Sequence, residues 1–430
     1  MIADDLTGAN DSGVQLVKKE LRSSVVFDLH ELAPEQFSSD AIIIDTDSRA
    51  ASRNESYEAV RKASLFLKNN GFTHIYKKID STLRGNIGVE IEAVTEIFNP
   101  EFCIIAPAFP RIGRITKNGI HYLHGVPLSE TEIAKDPKTP VKESSLCELL
   151  ESQVNQKVGL VKTADLGNDL DLWKAELSKW RKKDIRWLVF DVEEDEHLER
   201  ISSNISRITT NVVWVGSAGL AEFLPEKLGL KSTLRPEQNF VENLNVLVVS
   251  GSLSSVTREQ ISRLIEMDNM KAIEMDPLSV FKENDQWEKK KQVYVEELVL
   301  SYQQGFDAVL YVDSSLENRE NTAKAGKRLG ISESEISNRI SRGLGEITSE
   351  LIKKHAFISG LVLTGGDTAK AVCRQIGTSG LELLKEVEPG IPLGKLTGEY
   401  ELFAITKAGA FGNKNSLINA VQELKGGKYE

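Results

Sequence analysis

The sequence predicts an α/β protein of two domains, each with a mainly parallel sheet flanked by helices. Short apolar runs rich in Val and Ile recur along the chain, a pattern typical of strands buried on both faces. Helical patterns separate these runs, and alternating strands and helices favour parallel sheets with right-handed crossovers. The length of 430 residues suits two or three domains.

The predicted strands are five- or six-residue apolar runs that end in small or acidic residues. Between them, Val60, Ala63 and Leu67 share a helical face that stops at Gly71, and Ile261, Leu264 and Ile265 mark a second one. The strands are predicted at residues 41–45, 102–107, 187–191, 212–216, 246–250, 308–313 and 360–364.

A polar stretch from Lys231 to Leu244 contains a proline and separates two strand-rich halves. It predicts an N-terminal domain over residues 1–235 and a C-terminal domain over 244–430, each large enough to bury its own core.

Charge and composition exclude several classes of protein. The 64 acidic and 53 basic residues give a net charge of -11, so the chain as a whole repels nucleic acid and anionic membranes. It contains no apolar run of the 18 residues that span a bilayer. The start of the chain has no secretory-signal pattern, and three widely spaced cysteines favour a reducing cytoplasm.

The first turn of the chain is acidic. Asp4, Asp5 and Asp11 follow a short apolar run and flank the start of a predicted helix. They and Thr7 can accept hydrogen bonds from substrate hydroxyls, but Asp5 or Thr7 can equally be an ordinary helix N-cap. Because only Met-Ile-Ala precedes Asp4, we expect a trimmed first strand or missing upstream residues.

A second turn, KKIDSTLRGNIG at residues 77–88, combines cations, a carboxylate, hydroxyls and glycines. Lys78 and Arg84 can hold a small anion, and arginine suits a carboxylate because its planar fork contacts both oxygens. Asp80 and Ser81 can then orient a substrate hydroxyl. A surface loop joined by salt bridges is the alternative interpretation.

A third segment, residues 106–117, carries Arg111, Arg114 and Lys117 and no acidic residue. It follows a predicted strand directly, and ligands of open α/β sheets bind at the carboxyl ends of strands. We expect this basic loop at the ligand-binding edge, although a solvated loop has the same composition.

Two strand-to-helix turns of the C-terminal half are candidate phosphate sites. One contains Ser252, and the other contains Gly365, Gly366, Asp367 and Thr368. Glycines at such a turn expose backbone N–H groups, and a helix N-terminus adds partial positive charge. The alternative is a turn capped by Asp367 or Thr368. A Gly-rich turn around Gly409 is a weaker candidate.

Other familiar sites are absent or weak. The sequence has neither a GxxxxGK phosphate loop nor a GxGxxG dinucleotide fingerprint. Asp45 and Asp47 match the start of aspartate-nucleophile phosphatases, but Arg49 stands where that pattern has Thr or Val. His121 and His124 could chelate a metal if they were helical, and the metal ligands remain unknown.

Together these segments resemble the four-carbon acid sugar kinase family, over nearly the whole chain. The similar segments are ADDLTGANDSG (Ala3–Gly13), KKIDSTLRGNIG (Lys77–Gly88), PAFPRIGR (Pro107–Arg114), VGSAGLA (Val215–Ala221), SGSLSSVT (Ser250–Thr257), TGGDTA (Thr364–Ala369) and KAGAFG (Lys407–Gly412).

The resemblance implies a sugar-acid-binding N-terminal domain, a nucleotide-binding C-terminal domain, and an active site in the cleft between them. It implies transfer of phosphate from ATP, with Mg²⁺, to the terminal hydroxyl of D-threonate, D-erythronate or a 3-oxo-tetronate. The DSTLRGN form with Arg84 is more similar to the threonate and erythronate branch. Lys78, Arg84 and Arg111 would then hold the acid, and Asp4, Asp5 and Asp80 would bind its hydroxyls. Asp80 is the preferred proton acceptor, and Asp5 is the second candidate.

Three further hypotheses remain. A phosphatase would use Asp45 and Asp47, and a sugar-acid sensor would bind its ligand without ATP turnover. A homodimer is the commonest assembly for such an enzyme.

Overall fold

The computed structural model describes residues 1–27, 29, 39–136, 138–232, 245–354, 358, 360–400 and 402–426. The chain forms two compact units, Met1–Arg235 and Pro236–Glu430, called here the N-terminal and C-terminal units. Most of the polar stretch expected to join two domains lies outside the described residues.

The main sheet of the N-terminal unit is parallel throughout its described pairs. Its strands are β1 (Ile2–Ala3), β2 (Ser23–Val26), β3 (Ala41–Asp45), β4 (Ile75–Lys78), β5 (Phe102–Ala106), β9 (Val158–Val161), β10 (Trp187–Phe190) and β11 (Val212–Gly216). They lie in the order β2-β3-β1-β4-β11-β5-β10-β9. A small antiparallel sheet contains β6 (Arg114–Lys117), β7 (Ile120–Leu123) and β8 (Val126–Pro127).

Helices cover both faces of the main sheet. They are α1 (Leu6–Val17), α2 (Arg53–Asn69), α3 (Ile87–Phe98), α4 (Leu146–Gln153), α5 (Thr163–Leu166), α6 (Leu170–Lys182), α7 (Asp195–Ile208) and α8 (Ala218–Lys227). Successive β5 side chains enter opposite cores: Cys103 and Ile105 pack on one side, and Phe102 and Ile104 on the other. Burial on both faces explains why β5 reads as a continuous apolar run.

The C-terminal unit has strand order β13-β14-β12-β15-β18-β17-β16. Its first five strands in this order are parallel, and a long antiparallel hairpin completes the sheet. The strands are β12 (Val246–Ser250), β13 (Met270–Glu274), β14 (Asp307–Tyr311), β15 (Gly360–Thr364), β16 (Thr378–Glu388), β17 (Ile391–Gly398) and β18 (Phe403–Lys407). The helices are α9 (Ser255–Ile265), α10 (Asn284–Gln303), α11 (Leu316–Arg328), α12 (Glu333–Lys354), α13 (Gly366–Gln375) and α14 (Ser416–Leu424).

This architecture confirms the predicted α/β class. Each unit also contains a point where the crossovers change direction. In the first sheet, β2 and β3 lie on one side of β1, and β4 lies on its other side. In the second sheet, β13 and β14 lie on one side of β12, and β15 lies on its other side. Ligands of open α/β sheets bind outside the carboxyl ends of strands at such points. In the described part of the chain, no helix is both long and apolar enough to cross a bilayer.

Candidate functional site

Asp4 and Asp5 lie at the carboxyl end of β1, and both are bound by Arg49 from the loop after β3. Nε of Arg49 is 2.7 Å from Asp4, while its two terminal nitrogens each lie 2.7 Å from an oxygen of Asp5. Asp5 also caps α1, because its Oδ1 accepts the Gly8 N–H at 2.8 Å. The capping interpretation and the hydroxyl-binding interpretation of Asp5 are therefore compatible.

The two carboxylates differ in their proton affinity. Burial by itself would raise the pKa of Asp4, but the adjacent Arg49 outweighs it and lowers that pKa. Burial raises the pKa of Asp5, and the charge of Asp4 adds to this effect against the opposing pull of Arg49. The Asp4 side chain is 3% exposed and that of Asp5 is 23% exposed. Asp5 is thus the accessible and more basic member of the pair.

A buried ion pair lies behind these carboxylates. Lys77, at 0% exposure, pairs with Glu90 of α3 at 2.7 Å. Burial raises the pKa of Glu90, against the opposing charge of Lys77. The neighbouring Lys78 is also buried, and its ammonium donates to the carbonyl of Ile79 at 3.0 Å. Lys78 lies so close to Gly8 that a Cβ there would be 2.8 Å from its Nζ. Glycine at position 8 therefore leaves room for a cation beside Asp5.

The turn after β4 is organised around Asp80. Its Oδ2 accepts hydrogen bonds from the Thr82 hydroxyl at 2.5 Å and from Nε of Arg84 at 2.6 Å. Burial would raise the pKa of Asp80, but the guanidinium groups of Arg49 and Arg84 hold it well below its usual range. Asp80 is therefore a weak proton acceptor in this environment.

Arg114, at the start of β6, points to the same turn. Its guanidinium donates to the Ser81 hydroxyl at 2.8 Å, and its buried Nε has no hydrogen-bond partner among the described residues. Burial lowers the pKa of Arg114, while the charges of Asp80 and Asp11 act in the opposite direction. A partly buried guanidinium with an unused donor is suited to bind an anion.

Arg111 was expected to bind the substrate acid, but its guanidinium pairs with acidic side chains of the protein itself. It is half exposed and forms ion pairs with Asp195, the first residue of α7, and with Glu222 in the middle of α8. Lys117 pairs with Glu193 at 2.6 Å. Of the three cations in the basic loop, Arg114 is the one in contact with the Asp80 turn. Arg111 lies in the turn before β6 and Lys117 at the far end of β6, and both pair with acidic residues elsewhere.

His121 of β7 contacts the backbone of the Asp80 turn. Its Nε2 lies 3.0 Å from the Ser81 carbonyl, and its Nδ1 lies 2.9 Å from the Thr116 hydroxyl. Since a carbonyl can only accept, Nε2 donates and Nδ1 accepts. Burial lowers the pKa of His121 to about 4, so the ring is neutral at pH 7.

The predicted phosphate residues of the C-terminal unit come together at the carboxyl ends of β12 and β15. The Gly251 N–H donates to the Thr368 hydroxyl at 3.2 Å, and a Cβ on Gly365 would be 3.6 Å from that of Ser252. Gly409 follows β18 and lies against Ser252 closely enough that a side chain there would overlap the serine hydroxyl.

No described protein atom lies directly in front of Gly366, the first residue of α13. A Cβ on Gly366 would meet no atom within 4 Å, and the next residue, Asp367, is exposed in the first turn. Gly365 has φ of +100°, a conformation that favours glycine. Ligand atoms can therefore approach the backbone N–H groups of this turn.

Lys407, the last residue of β18, holds the Gly409 turn in place. Its ammonium donates to the Thr257 hydroxyl and to the carbonyls of Ala408 and Gly409 at 3.0–3.2 Å. Burial lowers the pKa of Lys407 to about 8. A cation is thus built into the floor of the candidate phosphate site.

Two family models match this chain. A sugar-binding N-terminal domain matches residues 1–224, and a nucleotide-binding C-terminal domain matches residues 247–417. The D-threonate kinase of Salmonella typhimurium is 33% identical over 99% of this chain and 98% of its own length. The D-erythronate kinase of Heliobacterium modesticaldum is 31% identical over 99% of this chain and 96% of its own length.

The chain belongs to the four-carbon acid sugar kinase family. The family includes a 3-oxo-tetronate kinase of Pseudomonas savastanoi, 27% identical over 99% of this chain and 97% of its own length. A crystal structure of a Haemophilus influenzae protein of the family DUF1537 has a TM-score of 0.75 at 26% identity and covers 98% of this chain and 99% of that one. The resemblance inferred from the sequence is confirmed.

This member of the four-carbon acid sugar kinase family contains site residues that its sequence pattern did not reveal. Arg49 was considered as part of a phosphatase pattern, yet it clamps Asp4 and Asp5. The one feature of the sequence that could have indicated a site role for Arg49 is its position shortly after a predicted strand. Lys77 lies in the second turn, Lys407 in the KAGAFG segment and His121 in a possible pair of metal ligands, but the sequence did not indicate the roles that the structure gives them. Glu90, the partner of Lys77, carried no indication, since a buried ion pair and a neutral histidine depend on distant partners.

The described part of this kinase family member contains no evident metal centre. Among the described residues, no group of three or more His, Cys, Asp or Glu side chains could hold a metal ion. His121 and His124 do not share a helix, because β7 contains the first and a turn with φ of +49° contains the second. Asp45 accepts a hydrogen bond from the Asp47 N–H at 3.0 Å, as in an ordinary turn.

Proposed function

We propose that this chain is an ATP-dependent kinase that phosphorylates the terminal hydroxyl of a four-carbon sugar acid, D-threonate or D-erythronate, to the 4-phosphate. The observation that carries the proposal is the combination of paired carboxylates with the partly buried guanidinium of Arg114, whose buried Nε has no hydrogen-bond partner among the described residues of the N-terminal unit. Carboxylates accept hydrogen bonds from a polyol, and a guanidinium binds an acid group.

The acid is bound by residues around the carboxyl ends of β1 and β4. Arg114 binds the substrate carboxylate, assisted by Lys78 and Arg84. It has the carboxylate-binding role that the sequence assigned to Arg111. The substrate hydroxyls are bound by oxygen-bearing side chains in the two turns and the first helix: Asp4, Asp5, Thr7, Asp11, Asp80 and Ser81.

Asp5 is the proton acceptor in this proposal, in preference to Asp80. A base must hold the proton of the attacking hydroxyl, and the raised pKa of Asp5 favours this while the strongly lowered pKa of Asp80 opposes it. Arg49 keeps Asp5 in a defined position through two hydrogen bonds. Asp80 then orients Arg84 and the turn instead of accepting the proton.

The nucleotide is bound in the C-terminal unit by Ser252, Gly365, Gly366, Asp367, Thr368 and Gly409. Backbone N–H groups at the α13 N-terminus would bind phosphate oxygens, and Lys407 adds positive charge beneath them. The two sets of residues must meet for phosphate to be transferred, so the expected cleft position of the active site stays a prediction.

Mg²⁺ would be held chiefly by the phosphates and by water, as is common for this ion. Asp367 is the candidate protein ligand, because an exposed carboxylate beside the phosphates would repel them unless a cation lay between. When bound, the ion would neutralise charge on the transferred phosphate.

A 3-oxo-tetronate substrate is the second candidate within the family. The higher identity to D-threonate and D-erythronate kinases than to a 3-oxo-tetronate kinase favours the first assignment. We also propose a cytoplasmic location, which the three free cysteines support, and a homodimer, on general grounds.

The deciding experiment is an ADP-release assay over D-threonate, D-erythronate, their L-isomers and 3-oxo-tetronate, with and without Mg²⁺. We expect Mg²⁺-dependent ADP release with one of the D-acids and a 4-phosphorylated product by mass spectrometry. No turnover with any of these acids would refute the proposal, and phosphate release from a sugar phosphate without ATP would favour a phosphatase.

A further inference from the structure

The β6–β7 hairpin contacts the Asp80 turn through both of its strands. Arg114 of β6 donates to the Ser81 hydroxyl at 2.8 Å, and the His121 ring of β7 donates to the Ser81 carbonyl at 3.0 Å. The Thr116 hydroxyl lies 2.9 Å from the other nitrogen of that ring and links the two strands. The position of the hairpin therefore decides where the Arg114 guanidinium lies relative to Ser81.

The small sheet that contains this hairpin has almost no apolar core. Its strands have four, four and two residues. Across these three strands, which the structure describes in full, the buried residues are Thr116 and His121, and both are polar. An isolated hairpin is marginally stable at best, so the rest of the N-terminal unit must hold this one in place.

Asp191, the residue after β10, binds the turn of the hairpin. Its two carboxylate oxygens accept the backbone N–H groups of Asn118 and Gly119, each at 2.8 Å. These two residues connect β6 to β7 and have φ of +49° and +79°, as in the tightest class of hairpin turn. Asp191 is 7% exposed, and hydrogen bonds to an ionised acceptor are among the strongest in proteins.

The next residue, Val192, holds the middle of β6. Val192 and Thr116 exchange two backbone hydrogen bonds of 2.8 Å, and Thr116 is two residues from Arg114. The segment after β10 thus fixes β6 at its turn and near its centre. The ion pair of Lys117 with Glu193 on the same strand is largely exposed and contributes little to this attachment.

We propose that Asp191 is a positioning residue for acid binding. By fixing the β6–β7 turn, it places the guanidinium of Arg114 against Ser81, where Arg114 can bind the substrate carboxylate. Asp191 itself does not touch the substrate in this role. The inference rests on the proposed function, because it takes Arg114 to bind the acid, and it adds a residue that the sequence showed only as the acidic end of a predicted strand.

The kinetic test is a double-mutant cycle with Asp191→Asn and Arg114→Gln. Asparagine has the same shape, but its amide nitrogen cannot accept one of the two N–H groups. We expect Asp191→Asn to raise KM for the sugar acid about tenfold, with unchanged kcat and unchanged KM for ATP. In the Arg114→Gln background it should have no further effect on KM for the acid, because the group that it positions is gone.

Glu193→Gln is the matched control, because it removes a surface contact of the same hairpin and should leave KM for the acid at the wild-type value. An unchanged KM in Asp191→Asn, or an undiminished rise in the Arg114→Gln background, would overturn the inference. If Asp191→Asn fails to fold, Asp191→Ser, which can still accept one N–H group, must give the same selective rise.

A second readout needs no substrate. The Nε–H group of Arg114 is buried, so its NMR resonance in arginine-labelled protein should be protected from solvent exchange and can be assigned by its absence in Arg114→Gln. We expect this resonance to lose its protection in Asp191→Asn and to keep it in Glu193→Gln. An unchanged resonance in Asp191→Asn would contradict the positioning role.

The two readouts separate this inference from the proposed function. If the wild-type protein phosphorylates a sugar acid while Asp191→Asn changes neither KM nor the Arg114 resonance, the positioning role fails alone. If the wild type phosphorylates no acid but the resonance loses its protection in Asp191→Asn, the kinase proposal fails and the positioning of Arg114 by Asp191 stands.

Discussion

Arg49 binds the carboxylate of Asp5 through both terminal nitrogens, each 2.7 Å from one oxygen, and binds Asp4 with the same guanidinium. One cation thus bridges two adjacent acids and offsets part of the repulsion between them. The surroundings lower the pKa of Asp4 and raise that of Asp5, so the two adjacent acids differ in their tendency to hold a proton.

Replacing Arg49 with Gln should move the acid limb of the kcat/KM profile to higher pH. Arg49 lowers the pKa of Asp5, so its removal raises that pKa, and activity is lost as pH falls through it. Breaking a buried ion pair should also destabilise the fold by about 3 kcal/mol. Arg61→Gln, on the surface of α2, is the control, and an unshifted acid limb would contradict the role of Arg49.

Asp5→Asn should reduce kcat by about 10²–10⁴-fold, the usual contribution of a general base. Asparagine is as good an N-cap as aspartate, so α1 should stay intact. Asp80→Asn should chiefly raise KM for the acid, since Asp80 positions Arg84. Steady-state kinetics with a coupled assay distinguish the two variants, and a larger kcat loss in Asp80→Asn would reverse their assignment.

Arg114→Gln should raise KM for the sugar acid by about ten- to a hundredfold, because a charge-assisted hydrogen bond contributes about 1.5–3 kcal/mol. KM for ATP should change little. Arg111→Gln is the matched control in the same loop, and its ion pairs with Asp195 and Glu222 predict nearly wild-type kinetics. Equal effects of both variants on KM for the acid would show that Arg114 has no special role.

Gly366→Ala should weaken ATP binding without loss of stability. A methyl group at this position meets no protein atom within 4 Å, and alanine is the better helix former. Any harm must therefore come from contact with a bound phosphate. We expect KM for ATP to rise about tenfold at unchanged or higher Tm, whereas unaltered ATP kinetics would place the phosphates elsewhere.

His121 predicts a specific pH dependence of folding stability. Its pKa is about 4 in the folded protein against an ordinary value of 6.5, so between these pH values the unfolded chain binds a proton that the folded protein does not. The free energy of unfolding should therefore fall by roughly 3 kcal/mol as pH drops from 6.5 to 4. Urea titrations across this range should show a shallower decline in His121→Gln than in the exposed-site control His74→Gln, and identical slopes would count against the assignment.

The strand pattern was the most predictable part of the fold. Residues 41–45, 212–216, 246–250 and 360–364 are strands at the predicted bounds, because side chains buried on both faces leave a continuous apolar run. The antiparallel hairpin from Thr378 to Gly398 was not predicted. Its positions are unevenly buried, so neither a clean alternation nor a continuous run appears in the sequence.

The sequence by itself determined the α/β class, the family, and the turns after strands that are candidate ligand sites. These features depend on local patterns: apolar runs, glycines at turns, and short polar segments. The tertiary structure alone decided that Arg49 clamps Asp4 and Asp5, that Arg114 and not Arg111 reaches Ser81, and that the pKa of Asp5 is raised while that of Asp80 is lowered. Each of these depends on partners dozens of residues away, because charge and burial are set by the neighbours that folding brings together.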